Sequence, residues 1–214
     1  TGSGKLILSG NNSGLTGNVY VNNGIAQAAG THALGTGTVT VADGATLELS
    51  GGVSPANALA ITGSGVGGAG VVHNVSGTNT LSGTITAGGA STISADSGTT
   101  LNLTGNVTGA NRDLTFAGAG NIAASRITTG TGAVTVNSTG TVTYNGGSTA
   151  NTYTGDTTVN SGTLVLAKTG GTTAIAGNLA VNGGTVQINA GNQIADTASV
   201  ALAGAGTLNL NGQS

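Results

Sequence analysis

The sequence predicts an all-β fold, a parallel β-helix (β-solenoid) of about ten coils of roughly 20 residues each. Three observations point there. Glycine supplies 42 of 214 residues, while charged residues are 5% and aromatics 2%. Short stretches alternate apolar and polar residues with a period of two, as in TLEL at 46–49 and TLNL at 207–210. A strand–turn–strand phrase recurs at intervals close to 20 residues, for example Val21 to Val41 and Val159 to Val181.

Composition removes most alternatives. Met, Trp and Cys are absent, and the aromatics are Phe116, Tyr20, Tyr144 and Tyr153. An ordinary globular core draws much of its volume from large side chains, so a thick core is excluded. The abundant Val, Ile and Thr and a net charge of −2 are unlike a disordered chain. Glycine has no strict three-residue period and Pro55 is the only proline, so a collagen helix is excluded. Glycine costs about 1 kcal/mol per helix-interior position, and no apolar stripe runs at helical spacing. A β-sandwich would carry bulky inward anchors, and a propeller would show aromatic signatures in blades of about 40 residues.

The elements follow in chain order. TVTVADGATLEL at 38–49 is two alternating strands joined by a tight turn; it recurs as TTVNSGTLVL at 157–166, LAVNGGTVQI at 179–188 and, more loosely, AVTVNSTGTVTY at 133–144. Val41, Val159 and Val181 are each followed three residues later by Gly44, Gly162 and Gly184; Val21 and Gly24 share this spacing. GSGKLILSG at 2–10 matches GAGTLNLNG at 204–212. Strands this short cannot bury an apolar face alone, and stacking copies makes a continuous narrow core. Leu47, Leu49, Leu101, Leu103, Leu164 and Leu166 are the expected inner ladders. The chain reads as one continuous solenoid over 1–214, clearest at 2–52 and 133–212 and more divergent at 53–130.

The run NTYTGDTTVNSGTLVL at 151–166 resembles the autotransporter-associated β-strand repeat, as does 2–24 followed by 37–52. The chain departs from the family pattern at Leu15, where the family has Tyr, and at Ile25–Gln27. The resemblance covers about half of the chain and is specific to an architecture rather than an activity. It implies a right-handed parallel β-helix from the passenger region of a bacterial surface or secreted protein. It carries over no functional residue.

Chemistry is sparse. The six acids are Asp43, Glu48, Asp96, Asp113, Asp156 and Asp196. Asp96, Asp113 and the adjacent Arg112 are the best case for a polysaccharide-degrading site, which needs clustered carboxylates. The expectation is instead that Asp43, Asp96 and Asp156 occupy solvated corners and that Glu48 points outward. His32 and His73 have no partners at zinc-like spacing and read as structural. GGAGVV at 67–72 lacks the Asp that a calcium-binding glycine-rich repeat needs where Val72 stands. Threonine pairs at Thr38/Thr40, Thr84/Thr86 and Thr141/Thr143 lie 46 and 57 residues apart, which predicts no ordered rank for ice binding. Tyr144 and Tyr153 read as structural, able to share a face.

The reading is therefore a non-catalytic stalk, fibre or filament element, extracellular or on a bacterial outer surface, with any export signal outside this chain. No catalytic, metal or cofactor residue is assigned. Self-association, end to end or side by side, is the expected partnership. An adhesin binding a cell-surface or glycan ligand along one face is the alternative, and a polysaccharide-degrading enzyme the remote one. Four scattered bases (Lys5, Arg112, Arg126, Lys168) cannot track phosphates, so nucleic acid is not expected. No apolar run reaches the roughly 20 residues of a spanning helix, so no direct membrane span is expected in this chain.

Overall fold

The computed structural model describes residues 4–213. It is a β-solenoid: all-β, with about nine stacked coils of ~22 residues. Coils are thus slightly longer and fewer than the shortest repeat intervals suggest. One insertion, the loop at 64–70, lengthens the middle: Leu47 pairs with Val72, 25 residues on, and Leu59 with Ile85, 26 on, and both intervals span it. All strand pairs are parallel, between successive coils. One helical element occurs among the described residues, a 3-10 turn at Val66–Gly68 on the inserted loop.

Each coil has three faces. The first carries strands Val19–Val21, Val39–Val41 and Leu59–Gly63, and continues into Ile85–Ala95, Thr100–Gly109 and Asn121–Thr128. The second runs unbroken from Lys5–Leu8 to Val200–Leu202. The third begins as a strand at Thr78–Leu81 and continues to Thr207–Asn209. Period-two alternation puts every second residue inside. One second-face column reads Leu6, Ala26, Leu47, Val72, Ile93, Phe116, Val136, Val159, Val181, Leu202. All six expected ladder leucines are fully buried, Leu47 and Leu49 on the second face and the other four on the third.

One face is always irregular in the outer coils, and it changes side. Residues 9–18, 29–38 and 51–58 form no strand and lie on the third face. In the later coils the gaps are at 145–156, 167–178 and 189–199, on the first face, apart from one isolated bridge, Ile175 to Ile194. Between them, near 78–128, all three faces are strands. The recurrent phrase therefore occupies the first and second faces at 38–49 but the second and third at 157–166. The spacing agrees: Val41 to Val159 is 118 residues (159 − 41), about 5.4 coils of ~22, a third of a turn out of phase.

Where backbone pairing lapses, buried or half-buried side-chain amides replace it. Asn12 Nδ2 donates to Ala33 O at 2.8 Å, and Asn151 Nδ2 to Ala174 O at 2.8 Å. Asn151 Oδ1 also accepts from Ile127 N at 2.9 Å. Asn57 Nδ2 donates to Gly37 O at 2.7 Å and Gly35 O at 3.2 Å, and Asn79 Oδ1 accepts from Val53 N and Gly52 N. Gln193 accepts from Lys168 N and donates to Thr172 O. Buried backbone groups must find partners, and these side chains supply them without a strand.

The turn glycines divide. Gly24, Gly44 and Gly162 adopt positive φ of 69°, 75° and 67°, where a Cβ is disfavoured. Gly184, expected to match them, does not; a Cβ there would lie 2.8 Å from Gly162 O, so closeness of the neighbouring coil explains it instead.

Candidate functional site

The acids are not brought together. Asp96 follows the inner second-face residue Ala95, whereas Asp113 precedes Leu114 at the other edge of that face; Asp113 Oδ1 accepts from Ala133 N at 2.9 Å. Asp43, Asp96 and Asp156 are exposed at corners. Glu48 points outward but is nearly buried: Lys5 Nζ lies 2.5 Å away and Gln27 Nε2 donates to it at 2.8 Å. Among the described residues no group of three His, Cys, Asp or Glu could hold a metal ion.

His73 does find an acid. Its Nε2 lies 2.8 Å from Asp96 Oδ1, and its strand neighbour is Ser94. This Asp–His–Ser set was invisible in the sequence because its members lie one coil apart. It lacks the geometry of a nucleophilic triad. The Ser94 hydroxyl donates to Ala69 O beneath the inserted 64–70 loop, and Ser94 is buried, so its oxygen neither meets the imidazole nor faces substrate. Thr46 pins the same loop, accepting from Val66 N at 2.8 Å and donating to Gly70 O at 3.0 Å. GGAGVV is thus part of an external clasp.

The most unusual chemistry is inside, where the irregular face changes side. Lys168 is buried, and its ammonium donates to Asn145 O (2.7 Å), Ser125 O (2.8 Å) and Thr149 O (2.8 Å). Burial, then the nearby Arg126 charge, push it down to about 8. Tyr144 and Tyr153 do not share a face; they enter the core from the third and the first and are both buried. Phe116 packs edge-on to Tyr144 with ring centroids 6.4 Å apart. The Tyr153 hydroxyl is 2.7 Å from Thr157 Oγ1, and burial pushes its pKa up to about 12; burial also holds Tyr144 well above its ordinary value.

The outer surface is small and neutral. Threonines do form ranks, contrary to the expectation from their spacing, and two of them include a member of the pairs considered above: Thr92–Thr115–Thr135–Thr158 on the second face, Thr141–Thr163–Thr185–Thr207 on the third and Thr86–Thr108–Thr128 on the first. Each rank is one column wide; beside the third-face rank stand Thr143, Val165, Gln187 and Asn209. At one corner the amides of Asn182, Asn160 and Asn137 join in series at 2.9 and 2.8 Å.

Set against known proteins, the chain matches no family model, no curated protein and no solved structure. No helix among the described residues is long and apolar enough to cross a membrane.

Proposed function

We propose that the chain is a non-catalytic structural rod, a stalk or fibre element of the autotransporter passenger type on a bacterial surface or in a secreted protein. The observation that carries the reading is the unbroken second face, whose single inward column runs through ten strands from Leu6 to Leu202. Such a column serves extension, because each added coil lengthens the rod by about 4.8 Å without altering its section. Nine coils give about 43 Å. The resemblance of 151–166 to the autotransporter-associated repeat supports the cellular setting, and those residues form the loop–strand–turn–strand unit that builds the later coils.

Self-association belongs to this reading. Leu6, Ile7, Leu15 and Tyr20 are exposed in the first coil, and Val200, Leu202 and Leu210 in the last. Leu6 and Leu202 stand in the same inward column, so a further coil laid on either would meet apolar side chains and open backbone groups.

Analytical ultracentrifugation and electron microscopy across a concentration series test the rod. Short rods that lengthen with concentration are expected. Release of reducing ends from a polysaccharide panel, abolished by Asp96→Asn or Asp113→Asn, would overturn the non-catalytic reading.

A further inference from the structure

The third face has one open rung. Above and below it, coils are tied together: Thr36 N donates to Leu15 O and Asn12 N to His32 O on one side, Thr80 N to Val53 O and Ser82 N to Pro55 O on the other. Between 30–36 and 52–57 no backbone hydrogen bond is made; Asn57 Nδ2, donating to Gly35 O, is the side-chain tie inside that rung. The loops part there around a cavity of about 510 Å³.

Its lining defines a ligand. Thr31, His32, Thr36 and Ser54 offer hydroxyls and an imidazole, and Pro55 and Ala56 offer C–H surface. No Lys, Arg, Asp or Glu lines it. His32 is exposed and adopts a left-handed φ of 58°, a conformation that histidine, like asparagine and aspartate, takes more readily than most residues other than glycine. The volume falls in the range of small-ligand sites, about 300–1,000 Å³. A neutral molecule rich in hydroxyls, with apolar ring faces, satisfies such a wall; a charged one finds no counter-ion.

We propose that this slot binds a short neutral saccharide, of one to two sugar units. The sugar hydroxyls take the side-chain groups and the unpaired backbone of the open rung, and a ring face lies on Pro55. This would add an adhesive function to the rod and is independent of it.

The test is a titration of the 15N-labelled chain with maltose, cellobiose and N,N′-diacetylchitobiose, with glucuronic acid as the charged comparison. At least one neutral disaccharide should shift amides confined to 31–36 and 52–57. Ala56→Trp, which fills the slot, should abolish those shifts. His32→Ala should weaken binding about tenfold, the worth of one good hydrogen bond. Both variants sit on exposed loops, and unchanged shifts elsewhere report that the fold is intact. No shift with any neutral sugar, shifts outside the two loops, shifts that survive Ala56→Trp, or equal binding of glucuronic acid would each overturn the proposal. None of these outcomes bears on the rod.

Discussion

The early coils, up to about residue 63, and the late coils, from about residue 129, are built from the same phrase but not on the same faces. In NSGLTGNVYV at 12–21 the Leu15 side chain lies on the third face and is 46% exposed. In NTYTGDTTV at 151–159 the matching Tyr153 lies on the first face and is fully buried. Asn12 and Asn151 precede them and do the same work, each giving an amide to the next coil. The unit that repeats is thus two strands and one amide-stapled loop, and the solenoid permits that unit to be set down a third of a turn further round. The middle coils make the change by being strands on all three sides. Of the bulky and charged residues of the interior, Phe116 lies in the middle coils, and Tyr144, Tyr153 and Lys168 collect on the late side of that change, where the section is remodelled.

Substitutions can break or sharpen this comparison. The largest effect is expected from Leu164→Asp, which buries an unpaired carboxylate in a third-face strand; it should abolish cooperative unfolding or cost more than about 4 kcal/mol. The same change at Leu15, on the third face of the early coils, should be tolerated, as circular dichroism melts would show. Next, Tyr153→Ala should destabilise by about 3–5 kcal/mol, and Leu15→Ala by less than about 1, in urea titrations. Equal losses would mean that the two phrases are set alike.

The loop staples should be equivalent in the two halves. Asn151→Ala orphans Ile127 N and Ala174 O, and Asn57→Ala orphans Gly35 O and Gly37 O. Each should cost about 2–4 kcal/mol, since two buried backbone groups lose a partner. A negligible cost at either site would show that its loop needs no staple.

Alkaline pH separates two interior groups of the late coils by sign. Lys168 has a lower pKa folded (about 8) than unfolded (10.5), so its contribution is present above 10.5 and lost as pH falls through about 8. Unfolding free energy should therefore rise from pH 8 toward 10, and Lys168→Met should flatten that rise. Tyr153 acts oppositely: its stabilisation is present below 10 and lost as pH rises through about 12. The smallest effect is expected at the exposed Asn160 of the amide series, where Ala should change stability by less than about 1 kcal/mol.

The sequence showed the strands and their inner side plainly, because alternation with a period of two distinguishes in from out at Leu47 and Leu49 or Leu164 and Leu166. It was silent on which of three faces a strand occupies, since all three use the same alternation. The amides were also hidden. Asn57, Asn79, Asn151 and Gln193 sit in Gly- and Thr-rich stretches that look like solvated loops, and only stacking reveals the carbonyls and N–H groups they meet. Lys168 looked like one scattered base for the same reason. His73 and Asp96 meet because residues about one coil apart become neighbours, whereas Asp96 and Asp113, though closer in sequence, fall at opposite edges of a face.

The change of face can be tested by disulfide trapping, with no background because the chain has no cysteine. Thr135 stacks on Thr115 of the second face, while Thr108 of the first face stacks under Thr128. Neighbouring strands bring Cα atoms within disulfide reach, about 4.4–6.8 Å. Under mild oxidation, Thr115→Cys with Thr135→Cys should close, as mass spectrometry of tryptic fragments would show, and Thr108→Cys with Thr135→Cys should stay open. Closure of the second pair and not the first would place the late phrase on the same face as the early one and contradict the account.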